Sequence, residues 1–239
     1  MTTEAPAGAT VADLVVADAR TARVFERFGI DYCCGGDRPL NDACDCADLD
    51  PAAVRAALDE VLSGSRQGSG LFNAPADIGG LIGHIVATYH LWLRAELPRF
   101  ENLFSKVLDA HGAAHLDLHR AAVTFRELVD DLVPHLTKEE RVLFPLAIEL
   151  LGAVTKPEFR CGSVQNPISV IRLEHDRVGT LLARLREQTN GYQPPPDACP
   201  TWRTLWAGLA ELESQTHEHI HLEDNLLFPR LVALEAAFG

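Results

Sequence analysis

The chain has 239 residues, 47% of them hydrophobic, and its 34 acidic residues outnumber the 21 basic ones to give a net charge of −13. This length suits one large domain, or a small domain joined to a medium one. The acidic balance argues against nucleic acid or an anionic membrane as the main partner, because too few Lys and Arg side chains are available to neutralise phosphates. No stretch approaches the roughly 20 apolar residues of a membrane span.

The N-terminal stretch "MTTEAPAGATVADL" has neither the basic region nor the apolar region of a secretory signal. Without such a signal, the six cysteines are expected to be reduced thiols rather than a disulfide framework. We therefore expect a cytoplasmic protein.

The first predicted helix is "TVADLVVADARTARVFERFGI", with Thr10 as its N-cap and Gly29 as its C-terminal stop. Pro51 opens a second, short helix, "PAAVRAALDEVL", at the position where proline is favoured. The segment "SGSRQGSG", Ser63–Gly70, has the composition of a flexible linker. The chain is thus predicted to divide into an N-terminal helical module, residues 1–65, and a second domain, residues 71–239.

The second domain contains long amphipathic stretches near residues 76–110, 116–150, 167–189 and 201–228. The β signals are weak, because no sustained alternation is bounded by hairpin turns. Four long helices with short connections predict an all-α fold in which a four-helix bundle follows the small N-terminal module.

An internal repeat lies in the second and fourth of these helices. "HLTKEERVLFP" and "HIHLEDNLLFP" both read His-x-x-x-Glu-x-x-x-Leu-Phe-Pro, and they contain His135 with Glu139 and His219 with Glu223. Residues four apart share one face of a helix, so both side chains can reach the same ion. One such motif is more often structural than metal-binding, but its recurrence favours a metal site.

The first and third helices each supply one histidine among apolar residues, His84 and His175. Four nitrogens and two carboxylates exceed the needs of one tetrahedral zinc, and the mixture suits iron or manganese. If both glutamates bridge two octahedral ions, each ion has two positions left, one for a bridging oxo or hydroxo group and one for a small ligand. The predicted ligands are His84, His135, Glu139, His175, His219 and Glu223.

Three acidic residues beside the predicted ligands, Glu174, Asp131 and Asp176, could orient imidazoles. His111, His115 and His119 could form a metal-binding stripe, but Gly112 suggests a helix break, which favours a polar loop-and-cap role.

The stretch "DYCCGGD" places Cys33 and Cys34 side by side. Adjacent Cα atoms are held about 3.8 Å apart, too close for an ordinary disulfide. The pair therefore either offers two accessible thiols to a metal or another acceptor, or consists of buried apolar residues after a helix. Cys44 and Cys46 could join them in a four-thiolate site, but such sites normally use C-x₂-C spacing. No role is assigned to Cys161 or Cys199.

Together these motifs resemble the di-iron "repair of iron centres" proteins, which carry a hemerythrin-like domain. The resemblance covers almost the whole chain and includes "FGIDYCCGG", the segment at His84, both HxxxE…LFP motifs, "NPISVIRLEHDRVG" and "PPPDAC". It implies two iron ions on the six predicted ligands, and it assigns a functional role to Cys33 and Cys34, as iron acceptors or electron donors.

The resemblance implies repair of iron–sulfur clusters damaged by nitric oxide or oxidants, by donation of iron. The partners expected are damaged iron–sulfur proteins, with nitric oxide or dioxygen as small ligands. Two alternatives stay open: an enzyme that reduces nitric oxide at the di-iron centre, and a module that binds or senses oxygen or nitric oxide. Whether the protein is an enzyme, and whether it forms a homodimer, is left open.

Overall fold

The computed structural model describes residues 9–63 and 74–238. Within these ranges the chain is helical, apart from loops and one isolated β-bridge between Thr10 and Pro39, so the all-α prediction is confirmed. No helix in these ranges is long and apolar enough to cross a membrane. The predicted linker lies outside the described residues except for Ser63, which ends a helix.

The N-terminal module contains four short helices: α1 Val11–Ala17, α2 Arg20–Phe28, α3 Leu40–Cys46 and α4 Pro51–Ser63. Thr10 caps α1 in a reciprocal pair with Asp13, and Gly29 ends α2 in the left-handed conformation at φ 69°. The prediction of one helix as far as Gly29 is wrong, because the backbone is extended at Asp18, where φ is −153° and ψ is 106°. The Asp18 carboxylate accepts a hydrogen bond from the Arg20 N–H at 3.1 Å, which favours a new helix start.

Long helices form the bundle, and three of them contain one π-helical turn. The first bundle helix is α5 Ile78–Ile85, π1 Val86–His90 and α6 Leu91–His111. The second is α7 Leu116–Lys138, π2 Glu139–Leu143 and α8 Phe144–Gly152. The third is α9 Gln165–Gln188. The fourth is α10 Pro200–Leu222, π3 Glu223–Leu227 and α11 Phe228–Ala236.

The π-turns explain the Leu-Phe-Pro ending of the sequence repeat. The N–H of Phe144 bonds to the carbonyl of Glu139, and that of Phe228 to the carbonyl of Glu223, each five residues back. Proline has no N–H and its ring crowds the carbonyl four residues earlier. Pro145 and Pro229 directly follow the widened turns, where the regular hydrogen-bond ladder is already interrupted. The helix therefore continues through both prolines.

Buried apolar side chains form two clusters along the bundle. One is built from α6, α7, α9 and α10, and the other from α5, α8, α11 and the first turns of α9. In the first cluster α6 and α10 pack so closely that a Cβ on Gly208 would lie 2.3 Å from a ring carbon of Phe100. Between the two clusters lies a layer of buried histidines and glutamates.

The N-terminal module packs against the bundle in the described residues. Cys33 belongs to the first apolar cluster of the bundle, and Arg186 donates a hydrogen bond to the carbonyl of Glu26 at 3.1 Å. The Ser214 hydroxyl donates to the Glu26 carboxylate at 3.0 Å. The division into residues 1–65 and 71–239 therefore remains a prediction about folding independence, and not a description of separated bodies.

Candidate metal centre

His135 and Glu139 project from the end of the second bundle helix into the buried layer. Their exposures are 1% and 0%, and His135 Nε2 lies 3.0 Å from Glu139 Oε1. Both lie on the face already defined by Leu128 and Leu132, at alternating steps of four and three residues. The helical pattern that buries leucines in the first cluster therefore also buries this pair.

The fourth and third helices add the equivalent groups. His219 Nε2 lies 3.3 Å from Glu223 Oε2, and His175 Nε2 lies 3.2 Å from the same oxygen. All three residues are fully buried. The structure thus brings together five of the six predicted ligands: His135, Glu139, His175, His219 and Glu223.

The sixth position is occupied by His90, so the prediction of His84 is corrected. His90 Nε2 lies 3.3 Å from Glu139 Oε2 and 3.2 Å from His219 Nε2. His84 is only partly buried, its Nδ1 lies 3.3 Å from the Thr88 hydroxyl, and it belongs to no group of converging donors in the described residues. The π1 turn between the two histidines changes the winding of the helix, which puts His90 and not His84 in the layer.

The donors divide into two groups that share both carboxylates. His90 and His219 converge with Glu139 and Glu223, and His135 and His175 converge with the same two glutamates. In each group all ligand atoms lie within 4.8 Å of one another. Glu139 turns Oε1 towards His135 and Oε2 towards His90. The two oxygens of this one carboxylate therefore face different imidazole groups.

Three of the four imidazoles are held from behind by a carboxylate. Nδ1 of His90 donates to Glu140 at 2.8 Å, Nδ1 of His135 to Glu174 at 3.0 Å, and Nδ1 of His175 to Asp224 at 3.1 Å. These bonds fix Nε2 as the nitrogen that faces the layer.

Of the outer carboxylates, Glu174 was predicted, whereas Glu140 and Asp224 were not. Asp131 instead pairs with Arg177 at 2.5 Å. Among the described residues no contact joins Asp176 to a ligand.

The fourth imidazole, His219, differs from the others. Its Nδ1 is buried and has no hydrogen-bond partner among the described residues. Its ring stacks on Tyr89, with centroids 5.8 Å apart and planes 10° from parallel. The Tyr89 hydroxyl donates to Glu218 at 3.2 Å instead of bonding to the imidazole.

The electrostatics of the layer couple imidazoles to carboxylates. Burial lowers the pKa of His135, but the Glu139 and Glu174 carboxylates outweigh burial and raise that pKa to about 9. Burial likewise opposes a rise in the pKa of His175, which Asp224, Glu139 and Glu223 nevertheless push well above its ordinary value. Burial raises the pKa of Glu139, yet the imidazoles hold it well below the usual range. Without a cation, protons on the imidazoles therefore balance the buried carboxylate charge.

The buried carboxylate oxygens of Glu139 and Glu223 indicate whether this layer is suited to bind a metal. All four carboxylate oxygens of Glu139 and Glu223 are buried, and none accepts a well-directed hydrogen bond from the described residues, although imidazole nitrogens lie nearby. A buried carboxylate without such a bond is costly unless a cation is bound. Four imidazole nitrogens and two shared carboxylates fit a cation site, and their mixed nitrogen and oxygen chemistry is compatible with iron or manganese.

The other candidate group, at Cys33 and Cys34, is built on a tight turn. The two Sγ atoms lie 3.8 Å apart, and the Cys33 thiol donates to Asp31 at 3.2 Å. The Asp31 carboxylate also accepts the backbone N–H groups of Cys33, Cys34 and Gly35 at 2.9–3.1 Å. A Cβ on Gly36 would lie 2.3 Å from the carbonyl oxygen of Tyr32, so the second glycine is required for the close approach of the turn.

The expectation of two accessible thiols holds for only one of them. Cys34 is partly exposed, whereas Cys33 is 5% exposed. The hydrogen bond with Cys34, burial and the Asp31 charge raise the pKa of Cys33 well above its ordinary value. In this conformation Cys33 is a protonated thiol, and Cys34 is the thiol open to solvent.

The remaining candidates contribute nothing to either group. In the described residues Cys44 is buried in the core of the N-terminal module and Cys46 is exposed, and neither joins Cys33 and Cys34 in a group of converging donors. His119 donates to the carbonyl of Gly112 at 3.2 Å, in keeping with the loop-and-cap role. His111 and His115 pack on Trp202.

Comparison with known proteins gives matches along most of the chain. Residues 81–231 match the hemerythrin HHE cation binding domain, and residues 7–62 match a domain of unknown function, DUF542. The iron-sulfur cluster repair protein YtfE of Musicola paradisiaca is 35% identical over 227 residues, which cover 95% of this chain and 97% of the relative. The protein of the same name from Pectobacterium atrosepticum is 33% identical over 221 residues, 92% of this chain and 95% of the relative.

Proposed function

Because the chain belongs to the family of iron–sulfur cluster repair proteins, we propose that it restores damaged iron–sulfur clusters by donating iron from the metal centre. The two cations of that centre are ferrous or ferric ions held by His90, His135, His175, His219, Glu139 and Glu223. The acceptors are iron–sulfur proteins damaged by nitric oxide or by oxidants. The similarity to repair proteins over most of the chain favours this function over nitric oxide reduction or oxygen binding.

The observation that carries the proposal is the pair of donor groups sharing two buried carboxylates. Each cation has only two imidazoles of its own, because both carboxylates are shared. Such a centre has a lower affinity for iron than a centre in which each ion has a full set of ligands that it does not share. The coupled pKa values add a second reason: the carboxylates raise the pKa values of His90, His135 and His175, so protons taken up by the imidazoles that a departing cation frees offset the charge of Glu139 and Glu223. The layer therefore remains stable without its cation, as it must after the protein has donated iron.

The thiol pair supports an exit route for the iron. Tyr32, which directly precedes Cys33, contacts the fourth bundle helix: its carbonyl accepts a hydrogen bond from His221 at 3.3 Å. His221 lies two residues after His219 on that helix. We assign to Cys34 the role of a transient ligand for departing iron and to Cys33 that of a second thiol, freed from Asp31 when iron binds. Iron transfer of this kind is ligand exchange and needs no change of oxidation state.

The proposal is tested with an iron–sulfur enzyme whose cluster has been damaged by nitric oxide. The iron-loaded protein is added without oxygen in the presence of a chelator that captures free iron, and recovery of cluster absorbance and enzyme activity is followed. We expect recovery with the iron-loaded protein and none with the metal-free protein. Equal recovery from ferrous salt under the same chelator, or no recovery, would contradict donation. A parallel incubation with nitric oxide and a reductant measures nitric oxide consumption, which we expect to stop after stoichiometric binding.

A further inference from the structure

The outer hydrogen bonds divide the metal layer into two unequal halves. In the half formed by His135 and His175, both imidazoles donate to carboxylates, Glu174 and Asp224. In the half formed by His90 and His219, only His90 has such an acceptor. The shared glutamates cannot account for this difference, because both halves contain both of them.

The missing bond matters because a neutral imidazole that binds a cation through Nε2 must hold its proton on Nδ1. In His219 that N–H is buried and has no acceptor among the described residues. In the metal-free state the proton can move to Nε2, which lies 3.3 Å from Glu223 and 3.2 Å from His90 Nε2. When a metal binds at this half, the buried Nδ1–H of His219 therefore stays without an acceptor. When the metal leaves, the proton can move away from Nδ1 and this unfavourable state ends.

Outer carboxylates also strengthen the imidazole as a ligand, and loss of one typically lowers metal affinity about 10–100-fold. Each outer carboxylate that is present also pairs with a basic side chain: Glu140 with Arg94, Glu174 with Lys138 and Asp224 with Arg172. The halves consequently differ mainly at His219.

Access to solvent favours the same half. A surface depression of about 570 Å³ is lined by Phe144, Glu140 and Glu149, among others. Phe144 stacks on His90 at 5.7 Å, and Glu140 bonds to it. One layer of side chains therefore separates His90 from solvent. The Glu140 side chain is 33% exposed, compared with 25% for Glu174 behind His135 and 10% for Asp224 behind His175.

We propose that the two metal positions are unequal and that the iron bound by His90 and His219 is the one released, while the iron bound by His135 and His175 is retained. This inference rests on the proposed function for its purpose, since it identifies the iron that is donated. The difference in retention is a property of the chain alone and can be measured without any acceptor protein.

The first experiment loads the full chain with ferrous iron without oxygen, adds excess of a coloured ferrous chelator, and follows iron release. We expect two phases of one equivalent each, with rates that differ by about 10–100-fold. A single phase that releases both equivalents at one rate would overturn the proposal.

Two variants assign the phases. Asp224→Asn replaces the carboxylate behind His175 with a neutral amide, a weaker acceptor, and should accelerate the slow phase by about 10-fold or more. Glu140→Gln replaces the carboxylate behind His90 with a neutral amide in the same way and should accelerate only the fast phase. Glu127→Gln is the matched control, because Glu127 is an exposed carboxylate on α7 that pairs with Arg184 away from the layer. A reversed assignment, in which Glu140→Gln changes only the slow phase, would contradict the proposal.

A direct readout covers the case in which a variant folds poorly. Wild-type protein is stopped after the fast phase and crystallised, and anomalous scattering at the iron edge locates the remaining ion. We expect it between His135 and His175, and iron at His90 and His219, or equal occupancy of both positions, would refute the inference. If release is biphasic and the retained iron lies between His135 and His175, but clusters are not repaired, the proposed function fails while this inference stands.

Discussion

Glu139 follows His135 by one helical turn, and its Oε1 lies 3.0 Å from His135 Nε2. Its other oxygen faces His90 on a different helix, so this side chain spans the two halves of the layer. The predictions below begin with this bridge.

Replacement of Glu139 by alanine should lower the iron content below two ions per chain, because both halves lose a ligand. Metal analysis by plasma mass spectrometry measures the content, with Glu127→Ala as the control that removes an exposed carboxylate from the same helix. Two ions retained by Glu139→Ala, or one zinc per chain in the wild type, would show that the layer is not a carboxylate-bridged iron centre.

His90 and His84 form a matched pair on one helix. His90→Ala should remove an imidazole from the layer and reduce bound iron by about half, whereas His84→Ala should retain both ions, because His84 joins no converging donors in the described part of the chain. Iron content and the ultraviolet charge-transfer absorption of each variant measure this. The reverse result would restore the ligand assignment based on sequence.

Replacing each cysteine by serine should have different effects on the stability of the protein. Cys33→Ser places a hydroxyl in the apolar cluster and should cost about 1–3 kcal/mol in the free energy of unfolding. Cys34→Ser, at a partly exposed position, should leave stability and iron content unchanged but slow iron transfer to an acceptor protein. Denaturant unfolding and the cluster-repair assay measure the two effects. Wild-type transfer by Cys34→Ser would exclude this thiol from the route.

Metal affinity should rise with pH. The pKa of His135 is about 9 in the metal-free protein, so the imidazole is protonated at neutral pH and a cation must displace that proton. For the proton of His135, the affinity should therefore increase about tenfold per pH unit up to about pH 9. Glu139 contributes nothing to this slope, because its lowered pKa keeps it ionised throughout. Calorimetry in buffers of different ionisation enthalpy counts the protons released, and an affinity independent of pH would contradict the coupling.

A fragment beginning at Leu71 should fold and bind two irons with the spectrum of the full chain, because all six candidate ligands lie between residues 90 and 223. It should melt at a lower temperature than the full chain, since Arg186 and Ser214 lose their hydrogen bonds to Glu26. An unfolded or metal-free fragment would mean that the N-terminal helices are part of the bundle core.

The sequence predicts most of the metal layer because the repeat places its donors at helical spacing. His135, Glu139, His219 and Glu223 follow the apolar face of their helices in steps of three and four residues, and His175 does the same on α9. Patterns of this kind need no knowledge of the partner helices. Asp224 could not be assigned in this way, because its role depends on the contact between the third and fourth helices.

His90 was missed because a regular helix was assumed where a π-turn occurs. The buried positions from Leu81 to Leu97 are Leu81, Ile82, Ile85, Tyr89, His90, Leu93 and Leu97, and the π-turn among them bonds the N–H of Leu91 to the carbonyl of Val86, a step of five. The signal was present in the downstream half, where His90 continues the apolar face of α6. Similarly, the break between α1 and α2 depends on the local backbone at Asp18, which apolar spacing does not reveal.

The same step of five recurs from Glu139 to Phe144 and from Glu223 to Phe228, at the other two π-turns. Each ligand helix with a π-turn therefore carries two apolar stripes that are out of phase, one for each cluster. If such a helix shifted by one turn relative to its neighbours, apolar contacts kept by one stripe would be lost by the other. The three π-turns therefore link the two apolar stripes of each helix in a fixed offset, and the histidine layer lies where the offset occurs.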